Sequence, residues 1–204
     1  MDLDTFTRLR THAYHLTERL NLARIMRTGC LEAASSLYLK AGCSGRITQR
    51  RSAHDVIQVN GESVHVRDQS PLKQGNIDLT TTSFNDVIRT LNNHVFFWPG
   101  DHRRPILSGR NHFGRYSSSD CVVFVIQTRN IFHANTARPK FSACNSGAPR
   151  MQQGRKQPRD SQTFRYAHDF QRNPGEVIEV VFEEKAVLPQ TDFEIRELRE
   201  IDLG

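Results

Sequence analysis

The sequence predicts an α+β domain. Short β-branched or aromatic runs recur with turn residues between them, amphipathic stretches are brief, and long polar loops separate the two. The clearest run is Cys121 to Gln127 (Cys-Val-Val-Phe-Val-Ile-Gln), which reads as a buried central strand. There are no internal repeats and no heptads. At 204 residues the chain fits a single domain over residues 1–204, long enough to bury a core.

The elements follow in order. Leu3, Phe6 and Leu9 have helical spacing, so residues 3–12 read as a short helix. Tyr14 to Thr17 reads as a strand. Asn21 can cap a helix whose apolar face is Leu22, Ile25 and Met26, with Gly29 as its stop. Leu31 to Lys40 reads as a second helix ended by Gly42, and residues 44–62, with Arg46, Arg50 and Arg51, as a polar loop. Ser63 to Arg67 alternates as a strand does. Ser83 with Asp86 predicts a helix start, and Val87, Ile88 and Leu91 its buried stripe. Val95-Phe96-Phe97-Trp98 is a strong strand cut by Pro99-Gly100. Residues 145–163 read as a long loop and Phe164 to Gln171 as a short helix. Val177 to Phe182 and Phe193 to Ile195 are the last strands.

The formal charge is +6, the pI about 9.5 and the mean hydropathy −0.58, which favours an anionic partner. The charge is uneven. Arg150 to Arg172 holds six basic and two acidic residues, hence +4; Glu183 to Gly204 holds three basic and seven acidic, hence −4. No signal-peptide core and no run of about 20 apolar residues is present. The four cysteines form no Cys-x-x-Cys, so they read as reduced thiols of a cytoplasmic protein. Nine histidines show no zinc spacing, and no metal is expected. Gly109-Arg110-Asn111-His112-Phe113-Gly114 lacks the strand-to-helix setting of a dinucleotide fingerprint.

One residue stands out chemically. Glu179 lies inside the apolar run Val177-Ile178-Glu179-Val180-Val181-Phe182, and a carboxylate there is costly unless it has a partner or a task. Glu176 would point to the opposite face of that strand. A structural edge charge is the rival explanation for Glu179.

Tyr14-His15-Leu16-Thr17, followed by Asn21-Leu22-Ala23-Arg24-Ile25, resembles the first strand and helix of DarT-type ADP-ribosyltransferases. Ile47-Thr48-Gln49-Arg50-Arg51 is similar to that family's arginine motif, and Glu179-Val180-Val181-Phe182 with Pro189 to its glutamate strand. Further strings are Val66-Arg67-Asp68-Gln69, Pro71-Leu72, Leu91-Asn92 with Val95 to Pro99, and Asn145-Ser146-Gly147. They look like a relative of the mRNA-modifying, CmdT-type toxins of phage defence rather than DarT itself.

The resemblance implies an ADP-ribosyltransferase-like fold with a split, mostly antiparallel β-core. It also implies NAD as substrate, no metal, and a toxin with an antitoxin partner. Glu179 and Arg51 would be catalytic. His15, Leu16, Thr17, Arg67 and Phe97 would bind NAD, with Gln69 in support. Breaking the nicotinamide–ribose bond builds positive charge on the ribose, which a fixed carboxylate stabilises. The acceptor would be a base in single-stranded nucleic acid, RNA ahead of DNA. Arg155, Lys156, Arg159, Arg165 and Tyr166 would dock it, with Phe164 as a further stacking residue. A protein acceptor, a non-catalytic nucleic-acid-binding module and a metal-free ribonuclease remain the alternatives.

Overall fold

The computed structural model describes residues 1–135 and 139–204. Helix α1 (Leu3–Leu9) leads into β1 (His12–Glu18), followed by α2 (Leu22–Thr28), β2 (Cys30–Glu32) and α3 (Ala34–Lys40). Next come β3 (Asp55–Val59), β4 (Glu62–Val66), β5 (Ile77–Asp78), α4 (Phe84–Asn92), β6 (His94–Gly100) and α5 (Leu107–Gly114). Then follow β7 (Cys121–Gln127), α6 (Thr128–Ala134), β8 (Lys140–Ser142), β9 (Gln157–Pro158) and β10 (Arg165–Tyr166). The last are β11 (Glu179–Glu183), β12 (Lys185–Val187) and β13 (Phe193–Glu197). This is a mixed α+β domain with six short helices among the described residues.

Seven strands form one antiparallel sheet in the order β10-β8-β11-β6-β1-β7-β13. Strand residues alternate between two apolar layers, as a period of two requires. Ala13, Phe97, Phe124 and Val180 pack with Phe6 of α1 and Ile131 of α6. Tyr14, Trp98, Val123 and Val125 pack with Phe113 of α5, while Val181 packs with Val87, Ile88 and Leu91 of α4. Gly109 is required by this packing: a Cβ there would lie 2.8 Å from Trp98 Cβ. That accounts for the glycine without any nucleotide role.

The sheet opens at β6. Its second half pairs with β1 through Tyr14↔Trp98, Ala13↔Pro99 and His12↔Gly100, and there the ladder stops. Its first half, His94 to Phe97, pairs only with β11. From His15 onward β1 and β6 therefore diverge, while β1 stays fully paired with β7. Pro99 and Gly100 do not cut β6, as the sequence suggested; they carry the part that holds β1.

Three other assignments change. Leu31 starts no helix: Cys30 to Glu32 pairs with β12, and the helix begins at Ala34. Asp55 to Val59, read as loop, forms a hairpin with β4 and packs against Tyr38 of α3. Phe164 to Gln171 is not a helix; Arg165 and Tyr166 pair with β8. For Cys30 to Glu32 and for Arg165–Tyr166, pairing with a distant strand outweighs local propensity. Cys121 to Ile126 is buried and Gln127 exposed, and the strand lies one place from the sheet edge. Helix α2 does end at Gly29, with φ 63°, and Ser83 does cap α4 by accepting from the Asp86 amide.

Candidate active site

A cavity of about 260 Å³ occupies the opening between β1 and β6. Chain segments far apart in sequence meet there: His15 to Glu18, Arg51, Arg67 to Gln69, Asn145 and Glu179.

Glu179 starts β11 opposite Ser142 and is 2% exposed. Its two oxygens accept from the Ser146 backbone amide at 3.1 and 3.2 Å. Burial pushes its carboxyl up to about 7, while the Ser146 hydrogen bond and the charge of Arg159 pull the other way. Glu176 is exposed and caps the turn at Asn173. The carboxylate inside the molecule is thus Glu179, and it is no edge charge, because β11 lies between β8 and β6.

His15 Nδ1 lies 2.8 Å from the Phe96 carbonyl oxygen, across the gap where the β1–β6 ladder has ended. A carbonyl only accepts, so Nδ1 carries the proton. Burial lowers the imidazole to about 4, so the ring is neutral at pH 7 and Nε2 is a bare acceptor. Leu16 and Thr17 also line the cavity, and Thr17 Oγ1 accepts from Asn21 Nδ2 at 3.3 Å. Asn21 does not cap α2 with its side chain; it exchanges two 2.9 Å bonds with the backbone of His65.

Of the adjacent arginines, Arg51 lines the cavity. It donates to the Arg67 carbonyl at 2.6 Å and to Asn92 Oδ1 at 2.8 Å. Burial lowers its pKa. Arg50 turns outward to the carbonyls of Ser70 and Leu72. Gln69 Nε2 reaches the same Asn92 oxygen at 3.1 Å. Asn92 itself is buried and donates to the Ile47 carbonyl, so it ties three segments together.

Arg67 pairs with Glu18 at 3.0 Å and lies 4.2 Å over the Tyr116 ring. His54 lies between Glu18 and Asp68, at 3.3 and 3.0 Å. His112 rests against Trp98 and Tyr116, and burial lowers it to about 3. Sequence reasoning missed Glu18, His54, Asn92, His112 and Tyr116. Glu18 ends an apolar strand much as Glu179 begins one, so the same anomaly could have found it.

Several expected site residues fall elsewhere. Phe97 is fully buried between His15 and Phe182, in the core rather than on the cavity wall. Its neighbours Phe96 and Trp98 line the cavity instead. Phe164 is buried against His94 and Phe96 and offers no free face. Arg159 is 7% exposed and, among the described residues, donates only to backbone carbonyls, so it is no surface docking residue. Arg155 and Lys156 are exposed; Arg165 and Tyr166 are half-buried, with Lys140 Nζ 4.9 Å over the Tyr166 ring.

A second, open groove of about 930 Å³ adjoins the cavity. Arg115, Asn145 and Ala148 line both. Among the described groove residues are Arg150, Arg165 and Arg172, with Asp160 as the one acid.

Residues 11–193 match DUF7002, a family of unknown function. The chain belongs to that family. No curated protein and no solved structure matches it significantly. Among the described residues, no three His, Cys, Asp or Glu side chains group as a metal site, and no helix is long and apolar enough to cross a membrane.

Proposed function

We propose that this DUF7002 chain is an NAD-dependent mono-ADP-ribosyltransferase whose acceptor is a base in single-stranded nucleic acid. The observation that carries the reading is the buried Glu179 carboxylate. It faces a cavity shared with His15 and Arg51, and backbone amide is its only hydrogen-bond donor among the described residues. A carboxylate so placed suits a ligand that brings positive charge, and the nicotinamide ring of NAD is one.

In this reading Glu179 accepts from the ribose 2′-hydroxyl and stabilises the oxocarbenium-like transition state as nicotinamide leaves. His15, with Nε2 bare, accepts from another ribose hydroxyl. The edge of β1 left unpaired beyond Tyr14 offers backbone groups to the nicotinamide amide. Arg51 contacts the phosphates. The groove supplies positive charge where an acceptor strand would reach the cavity at Arg115 and Asn145. Its basic surface also suits an acidic antitoxin, and the intracellular toxin role is part of the same proposal.

Incubation with labelled NAD and RNA, single-stranded DNA or cell protein tests this. Label should enter nucleic acid, be released by nuclease, and persist in EDTA. Label that is released by protease would point to a protein acceptor. Absence of both labelling and nicotinamide release would leave a non-catalytic module.

A further inference from the structure

We infer that Arg159 is a positioning residue that pins the Asn145–Ser146 corner so that the Ser146 amide meets the Glu179 carboxylate. This rests on reading Glu179 as the catalytic group.

A guanidinium buried to 7% exposure is costly without an anionic partner. Among the described residues Arg159 has none. Its Nη1 donates to the Pro158 carbonyl at 2.8 Å, Nη2 to Asn145 at 3.1 Å and Nε to Ser146 at 3.4 Å. It therefore joins two segments thirteen residues apart in the chain. Pro158 is itself anchored, because β9 pairs with β5. Asn76 Nδ2 holds the same loop at the Pro149 carbonyl, at 3.0 Å. The carbonyl of Ser146 thus faces Arg159 while its amide faces Glu179. One peptide corner transmits the position of the arginine to the carboxylate.

The choice of residue fits the geometry. A guanidinium is a rigid fork that serves several carbonyls at once; a lysine is a single point. The charge contributes too. The positive charge of Arg159 favours the ionised Glu179 carboxylate, while the Glu179 charge in turn pushes the neighbouring Cys144 thiol up. The side chain that the sequence assigned to acceptor docking would instead act on the catalytic group from behind.

The test uses the full chain and the variants Arg159→Gln and Arg159→Lys. In the wild type, the Ser146 amide should be protected from hydrogen exchange; exchange at the free-peptide rate would overturn the inference, whether or not a variant folds. In Arg159→Gln that amide should exchange at least about tenfold faster. The Glu179 carboxyl, followed by ¹³C NMR, should titrate at higher pH than in the wild type. With NAD alone as probe, kcat for nicotinamide release should fall about 10- to 100-fold, and its acid limb should move to higher pH, with KM within about threefold. Arg159→Lys keeps the charge, so its titration should stay nearer the wild type while the amide still exchanges faster. Unchanged exchange and titration in a folded Arg159→Gln would make Arg159 a packing residue only. If Glu179→Gln still releases nicotinamide, the catalytic reading fails instead, and the amide measurement stands apart from it.

Discussion

Glu18 and Glu179 are two buried carboxylates on the wall of one cavity, and their surroundings differ. Glu18 ends β1 with Arg67 at 3.0 Å and His54 at 3.3 Å. Glu179 begins β11 with a backbone amide and no cation in hydrogen-bond reach among the described residues. The first charge is neutralised by the fold. The second has no such neutralising partner among the described residues. A paired buried carboxylate is costly to separate from its partner, whereas an unpaired one lowers stability.

The comparison breaks most readily at Glu179. Glu179→Gln keeps the volume and removes the charge, and nicotinamide release should fall by about 10²–10³ or more. Retained activity within about tenfold, or loss in Glu176→Gln instead, would assign the chemistry elsewhere.

Stability should separate the two acids with opposite signs. The folded Glu179 carboxyl titrates at about 7, above its ordinary 4.5, so the folded state binds the proton more tightly than the unfolded chain. The penalty for burying its charge is absent below pH 4.5, and stability falls as pH rises from there through 7. Glu179→Gln should therefore stabilise the protein above pH 7, by up to roughly 3 kcal/mol, and leave it nearly unchanged near pH 4. Arg67→Ala leaves Glu18 with His54 alone and should cost up to about 3 kcal/mol at neutral pH. Thermal or urea unfolding across pH measures both. A Glu179→Gln variant less stable than wild type at pH 8 would show that the charge is satisfied after all.

The smallest effect concerns the acceptor side. Neutralising Arg150, Arg155 and Lys156, all exposed, should weaken binding to single-stranded oligonucleotides and leave NAD binding unchanged. The log–log salt slope should flatten by about 0.7 for each phosphate that is no longer neutralised. An unchanged slope would make this loop solvated surface and favour a protein acceptor.

Much of the fold was legible because periodicity is local. The Gly29 stop, the Ser83 cap and the buried run at Cys121 each follow from a few neighbouring residues; the α1 stripe does not hold, because only Phe6 is buried, Leu3 and Leu9 are exposed, and the helix ends at Leu9. Glu179 was legible for the same reason, as a charge in an apolar run. The hairpin strand Asp55 to Val59 was hidden because its polar, exposed face lowers the apolar signal of the run. Phe97 and Phe164 were assigned to ligand because an aromatic reads alike whether it faces a cavity or a core.

By itself, then, the sequence determined the α+β class, the bounds of α2, the start of α4 and the unusual carboxylate, since these depend on residues within a turn or a strand of one another; helices α5 and α6 it did not show. The tertiary structure alone decided the rest. It made β6 change partners between Phe97 and Trp98, which opens the sheet, and it turned Arg51 rather than Arg50 into the opening. It also drew Arg159 out of a charged loop to hold the corner beside Glu179. These outcomes depend on which distant carbonyl, ring or strand a side chain meets, and no local pattern in the chain encodes that meeting.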